Sequence, residues 1–181
     1  MNEVLKAIAE RNSCRDFSPE PLTKEQIEIL VKAALAAPSA MNLQPWYITV
    51  VTDKSFIEAF DAEIMEFVKK DENWYKTMQE RGGKALYDAP CMIFIAKNET
   101  NYATHDCGIV SQNIALAAHA MGLGNVICGM ARIPFEGAKG AEFTKQLQFP
   151  EGYTFGMSVL VGKANKGKTP HELDFNKVSY V

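Results

Sequence analysis

From Asp106 to Met121 the chain reads as one helix with apolar or small residues on nearly every side, stopped at Gly122. A surface helix keeps a polar face, so a helix without one has to be enclosed, by its own domain or by a partner subunit. That requirement constrains the rest of the chain, which must supply elements to pack around this segment.

Several segments qualify. A first helix is expected from about Asn2 to Glu10. A second is marked by the T-x-x-Q capping box of Thr23 and Gln26, followed by Ile27, Leu30, Val31, Ala34 and Leu35 on one face, and ended by Pro38. Tyr47–Thr52 is β-rich, and Phe56, Phe60, Ile64 and Phe67 recur at helical spacing. Cys91–Ala96 is a short continuous apolar run, the pattern of a strand covered on both faces. Val126–Cys128 and Phe155–Val161 read as further core strands. Asn73–Asp88 has no clean period and is expected to be a mobile or lid segment hinged at Gly82-Gly83. After the polar run Gly162–Thr169, Val178, Tyr180 and Val181 regain β character with no partner strand nearby, so a strand there is expected to pair with something distant. Helices and strands mixed without a regular βαβ repeat indicate an α+β fold.

Bulk properties exclude several functions. The chain of 181 residues suffices for one hydrophobic core but not for two ordinary domains. Its net charge is −3 with scattered basic residues, which gives no electrostatic footprint for nucleic acid. No apolar run approaches the roughly 20 residues that span a bilayer, and the opening residues Val4, Leu5 and Ile8 are amphipathic instead of forming a signal-peptide core. Cys14, Cys91, Cys107 and Cys128 form no CxxC pair, and no spacing argues for a metal. A cytoplasmic setting is expected.

Three segments carry chemistry. Arg11-Asn12-Ser13-Cys14-Arg15 holds two of the chain's four arginines. The planar guanidinium suits bidentate contact with a phosphate, but the same arginines suit the negative end of a helix. The residues alone leave both readings open. Pro38-Ser39-Ala40-Met41-Asn42-Leu43-Gln44-Pro45-Trp46 is a loop dense in hydrogen-bonding groups and stiffened by prolines. It serves either to recognise a heteroaromatic ring or polyol, or as a plain helix-to-strand connection. Met121-Gly122-Leu123-Gly124 follows a helix instead of opening one, so it is not a dinucleotide fingerprint; Cys128-Gly129 ends a strand, where glycine admits a ligand close to the backbone. Among the titratable side chains, Asp106 suits a first-turn acid and His119 a packed, hydrogen-bonded role. Cys14, between the arginines, is placed for a lowered thiol pKa, but with no base or resolving cysteine it is read as incidental.

Together the N-terminal R-x-S-x-R-x-F, the P-S-x-x-N-x-Q-P-W loop, the apolar helix leading into G-L-G and the strand–Gly turn resemble the nitroreductase-like, FMN-dependent flavoprotein family, from Arg11 to Val181. The resemblance implies a single domain over residues 1–181 with a mostly antiparallel sheet flanked by helices, and a C-terminal arm (about residues 163–181) exchanged in a homodimer. It implies that Arg11 and Arg15 bind the FMN phosphate, Asn12 between them also contacts the cofactor, and Ser13 lies near the pyrimidine side of the ring. Pro38, Ser39, Ala40 and Asn42 would reach the flavin held mainly by the other subunit. Cys128 and Gly129 match the turn whose backbone N–H faces flavin N5. Lys166 and Lys168 fall where the family places late basic residues on the phosphate, with the choice between them open, and Lys84 would supply positive charge near N1 and O2. Trp74 and Tyr75 are expected to face the substrate. The implied activity is a ping-pong oxidoreductase, in which NADH or NADPH reduces the flavin at N5 and a nitroaromatic, quinone or similar acceptor is then reduced, with no dedicated catalytic side chain. A redox sensor or storage module without turnover, or a same-fold dehalogenase or flavin-consuming enzyme, are the alternatives.

Overall fold

In the computed structural model, which describes residues 2–181, a four-stranded sheet forms the centre of the molecule. The strands are β1 (Trp46–Val51), β2 (Cys91–Lys97), β3 (Gly124–Ile127) and β4 (Thr154–Gly162), in the order β1-β2-β4-β3 and antiparallel throughout. Seven α-helices surround them among the described residues: α1 (Glu3–Glu10), α2 (Lys24–Leu35), α3 (Lys54–Val68), α4 (Glu72–Glu80), α5 (Ala103–Ala120), α6 (Ile133–Glu136) and α7 (Gly140–Gln146). None is long and apolar enough to cross a membrane.

Alternation along β2 explains how the sheet is covered. Met92 and Phe94 point into one core with Phe60, Ile64, Phe143 and Leu160, while Cys91, Ile93 and Ile95 point into a second with Leu30, Val110, Ile114 and Val159. Both faces are therefore dry, which is why this strand is apolar at every position from Cys91 to Ala96. α5 lies close against the second face. A Cβ at Gly156 would stand 2.7 Å from Cys107 Sγ and 2.8 Å from the Ile95 carbonyl oxygen, so only glycine lets the helix and β4 approach this far. Gly122, at φ +73, ends α5 as its sequence position implied.

Thr23 and Gln26 make both bonds of the capping box that opens α2. At Asn73–Asp88 and at Phe67 the structure departs from expectation. Asn73–Asp88 is not aperiodic throughout: α4 occupies its first half, its N-cap Asp71 accepting from the Trp74 N–H at 2.9 Å. This helix is mostly polar and fully buries only Met78, with Trp74 and Tyr75 half-buried against the core, so its apolar positions are too few to stand out in the sequence. Phe67 is 43% exposed, because Val68 takes the buried position at that end of α3. Within this chain α5 buries one stripe, from Ala103 through Asp106, Val110 and Ile114 to Ala118, and leaves Ile109 exposed; all-round burial is not supplied by the chain itself. The C-terminal residues form no strand here. Beyond an isolated bridge at Ala164 the chain after β4 carries only a 3-10 turn at Phe175–Lys177, with Leu173, Phe175, Val178 and Tyr180 exposed, since no strand edge of the same chain meets them.

Candidate functional site

The Ser13–Phe17 segment is held by main-chain pairing to two strand ends. α1 stops at Glu10, and the extended chain beyond it bridges β3 at Ser13 and Asn125, with the Cys14 N–H donating to the Asn125 carbonyl at 2.8 Å. It then bridges the exit of β4 at Phe17 and Ala164, with the Ser18 N–H donating to the Lys163 carbonyl at 2.8 Å and the Asn165 N–H to the Asp16 carbonyl at 3.0 Å. Residues more than 140 positions apart in the sequence are thereby set side by side. Ser13 and Arg15 come to share one cavity of about 640 Å³ with Lys84, Lys166 and Lys168.

Five basic side chains line this cavity against three acidic ones, Arg81 being the basic residue that the sequence reading missed. Asp16 stands 3.6 Å from Lys166 and Asp88 is ion-paired with Lys84, whose pKa it raises so that the lysine stays charged, but five bases against three acids still leave the lining net positive. The cavity therefore favours an anion. Arginine is scarce in this chain, and that scarcity was the available signal for Arg81. Arg11 caps α1 and Asn12 donates to the Glu10 carbonyl at 3.3 Å; neither side chain lines the cavity.

Gly129 opens onto a second cavity, of about 690 Å³, walled by Trp74, Met130, Phe135, Tyr153 and Phe155. The turn is locked from behind. The Cys128 N–H donates to the Ser158 carbonyl at 2.8 Å, and Ser158 Oγ donates to the Cys128 carbonyl at 2.9 Å. Gly129 begins a 3-10 turn, so its N–H has no acceptor within that turn, and a Cβ there would meet nothing within 4 Å. An exposed, unencumbered backbone donor beside an aromatic wall suits the polar edge of a flat ring. Arg132 and Glu136 pair at 3.0 Å on the same cavity. Trp74 thus faces the Gly129 cavity, whereas Tyr75 lines a different one of about 420 Å³, with Asp61 and Lys84.

The Pro38–Trp46 loop lines neither the basic nor the aromatic cavity. Ser39 Oγ accepts from the Gln44 N–H at 2.9 Å, and the buried Asp106 accepts from the Ala40 N–H at 3.3 Å. Met41, Asn42 and Gln44 all hold positive φ, and Met41 is 81% exposed. Trp46 is buried in the second core. The apolar face of α1 (Val4, Leu5, Ile8) is also exposed, and no residue of that helix is buried. Cys14, in contrast to a thiol activated by its arginine neighbours, has its pKa raised, because burial outweighs every other influence on it.

Comparison with known proteins gives concordant matches. The model of the Nitroreductase family matches residues 8–163. The fold superposes on the crystal structure of a nitroreductase with bound FMN from Desulfitobacterium hafniense DCB-2 with a TM-score of 0.96 at 46% identity, covering 100% of this chain and 99% of that one. A protein of Methanothermobacter thermautotrophicus, provisionally named NADH dehydrogenase/NAD(P)H nitroreductase, is 31% identical over 133 residues, 71% of this chain and 61% of the relative, so the alignment spans less than two thirds of that relative's length. The FMN reductase (NAD(P)H) of Bacillus subtilis (strain 168) is 26% identical over 198 residues, with 100% of this chain and 76% of the relative covered.

Proposed function

Because this chain belongs to the nitroreductase family, we propose that it is an FMN-dependent oxidoreductase that draws on NADH or NADPH to reduce nitroaromatic, quinone or similar flat acceptors. One observation carries the reading: β3 joins an anion-favouring cavity to an open backbone donor. Asn125 is bridged to Ser13, and Gly129 follows four residues later, an interval of roughly 13 Å for extended chain. That is the reach of a ligand with a phosphate at one end and a ring at the other.

Arg15, Lys166 and Lys168 hold the phosphate through charge-assisted contacts, with Arg11 and Asn12 supporting the segment from its α1 end. Ser13 faces the pyrimidine side of the ring. Lys84 stands beside the ring as a positive charge, and the Gly129 N–H, steadied by the Cys128–Ser158 bonds, donates to the ring edge. Bound FMN supplies hydride acceptance and return at N5. Trp74, Phe135 and Phe155 exclude water and offer flat walls on which a nicotinamide and then an acceptor take turns, which is the basis of ping-pong kinetics. The Arg132–Glu136 pair is exposed and already satisfied internally, so no side chain is assigned as an indispensable acid or base.

Two copies complete the site in this reading. The exposed faces of α1 and α5, the projecting Met41 and Leu43, and the apolar C-terminal tail are surfaces that a second copy would bury. Pro38, Ser39, Ala40 and Asn42 then reach the partner's flavin, and of the expected arm (residues 163–181) the part beyond Lys168 is exchanged, since residues 163–168 stay with their own chain's basic cavity. Purified protein should be yellow, release FMN on denaturation, oxidise NAD(P)H only when an acceptor such as menadione is present, and sediment as a dimer. A colourless chain that fails to take up added FMN would sink the proposal.

A further inference from the structure

The loop between α4 and β2 carries Lys84 to the basic cavity in a conformation that its own residues disfavour. Tyr87 and Asp88 are consecutive non-glycine residues at φ 55 and 59, a region crowded for any side chain with a Cβ. Within the loop only the Ala89 N–H bond to the Leu86 carbonyl, at 3.0 Å, closes a turn. The stronger hold comes from α3. Asp61 Oδ1 accepts from the Leu86 N–H at 2.6 Å across 25 positions of sequence, and the Ala85 N–H also bonds to this carboxylate. Asp61 is partly buried beneath the loop; burial raises its pKa, while the two amide bonds and the charge of Lys84 act in the opposite direction.

The two anchored amides directly follow Lys84, and the left-handed pair directly follows them. Fixing Ala85 and Leu86 therefore fixes where Lys84 leaves the main chain. Lys84 and Asp88 line both the basic cavity and the smaller cavity that contains Asp61, so this loop is the wall between them. We propose that Asp61 is a positioning residue that sets Lys84 over the flavin-binding cavity by clamping the Ala85 and Leu86 amides. The proposal rests on reading the basic cavity as the FMN site.

Its sign separates this role from a simpler one. Acting directly, the Asp61 carboxylate disfavours a reduced, anionic flavin, so removing it would raise the midpoint potential. Acting through Lys84, its loss withdraws a positive charge from the ring and lowers the potential. The test is a double-mutant cycle on the full chain with Asp61→Ala, Lys84→Met and both, reading the Kd for FMN by fluorescence titration of the flavin-stripped protein and the midpoint potential of the reloaded one. Each single change should weaken FMN binding by about tenfold, one charge-assisted contact, and shift the potential downward. The double variant should be no weaker than Lys84→Met alone. Asp61→Asn keeps an acceptor oxygen and should restore most of the affinity. Should Asp61→Ala not fold, Asp61→Glu keeps the charge, displaces the carboxylate by one methylene and should show the same non-additivity at smaller size. Losses that multiply in the double variant, or a raised potential on removing Asp61, would overturn the proposal. A wild-type chain that binds no FMN would overturn the functional reading instead.

Discussion

The basic and aromatic cavities are built by opposite means. The basic one is a product of main-chain pairing: isolated bridges at Ser13–Asn125 and Phe17–Ala164 bring two polar segments together, and its side chains stand largely in solvent. The aromatic one is an extension of the core. Phe135 and Phe155 on its wall stack at 5.2 Å, and Phe135 meets the fully buried Phe60 at 5.6 Å, which in turn touches Phe94 and Phe143. The difference teaches that the two ends of the site should fail differently, one through affinity and the other through stability and shape.

The largest expected effect tests that division at its root. Phe60→Ala empties a fully buried ring site and should cost about 3–5 kcal/mol of unfolding free energy. In urea melts of the flavin-stripped protein this should appear undiminished, and in the holoprotein the acceptor KM should change more than the Kd for FMN. Equal damage to both would mean that the two cavities share one support.

Arg15→Ala is the converse. Arg15 is exposed, so unfolding should be nearly unaffected, while FMN binding should weaken by about 1.5–3 kcal/mol, the range for a hydrogen bond to a charged group. Added salt should reduce the wild-type affinity and narrow the gap to the variant. A Kd insensitive to both would remove the phosphate from this cavity.

How far each region was legible in the sequence follows from the same contrast. Local signals with a physical cause survived: the Thr23–Gln26 capping box, the dry strand Cys91–Ala96 and the Gly122 stop each depend on residues within a few positions of one another. The joint placement of Ser13, Arg15, Lys84, Lys166 and Lys168 was reached through family resemblance, because the bridges that assemble it span most of the chain and leave no local pattern. α4 was hidden by its polar surface, and α6 and α7 are too short to show a period. The tail from Val178 to Val181 has β character that nothing within one chain uses.

A smaller effect should come from Trp74→Ala. Trp74 lines the aromatic cavity and is half-buried against the core, but its ring pairs only with the exposed Phe67, in an edge contact at 6.2 Å. Losing one aromatic wall should alter acceptor KM by about 0.5–1.5 kcal/mol and leave the Kd for FMN within about twofold. A large loss of flavin would place Trp74 at the cofactor instead, and the distinction between the cavities would need redrawing at this residue.

The smallest effect concerns the cysteines beneath the two cavities. Cys14 lies under the basic one and Cys128 behind the aromatic turn, and both thiols have raised pKa values with burial as the leading cause. For Cys14 the charge of Arg15 is the weakest influence, so burial outweighs the basic cavity's field at the thiol although Arg15 is its neighbour in sequence. A raised folded-state pKa means that the neutral thiol is favoured in the folded protein; the associated stability is complete below the unfolded value near 9 and is lost as pH rises through the folded value. Both thiols should therefore resist iodoacetamide at pH 8 in the native protein and react only on unfolding. Selective alkylation of Cys14 at that pH would show the cavity's positive field reaching into the packed layer under it, and the separation between a solvent-facing basic site and a core-built aromatic one would no longer hold.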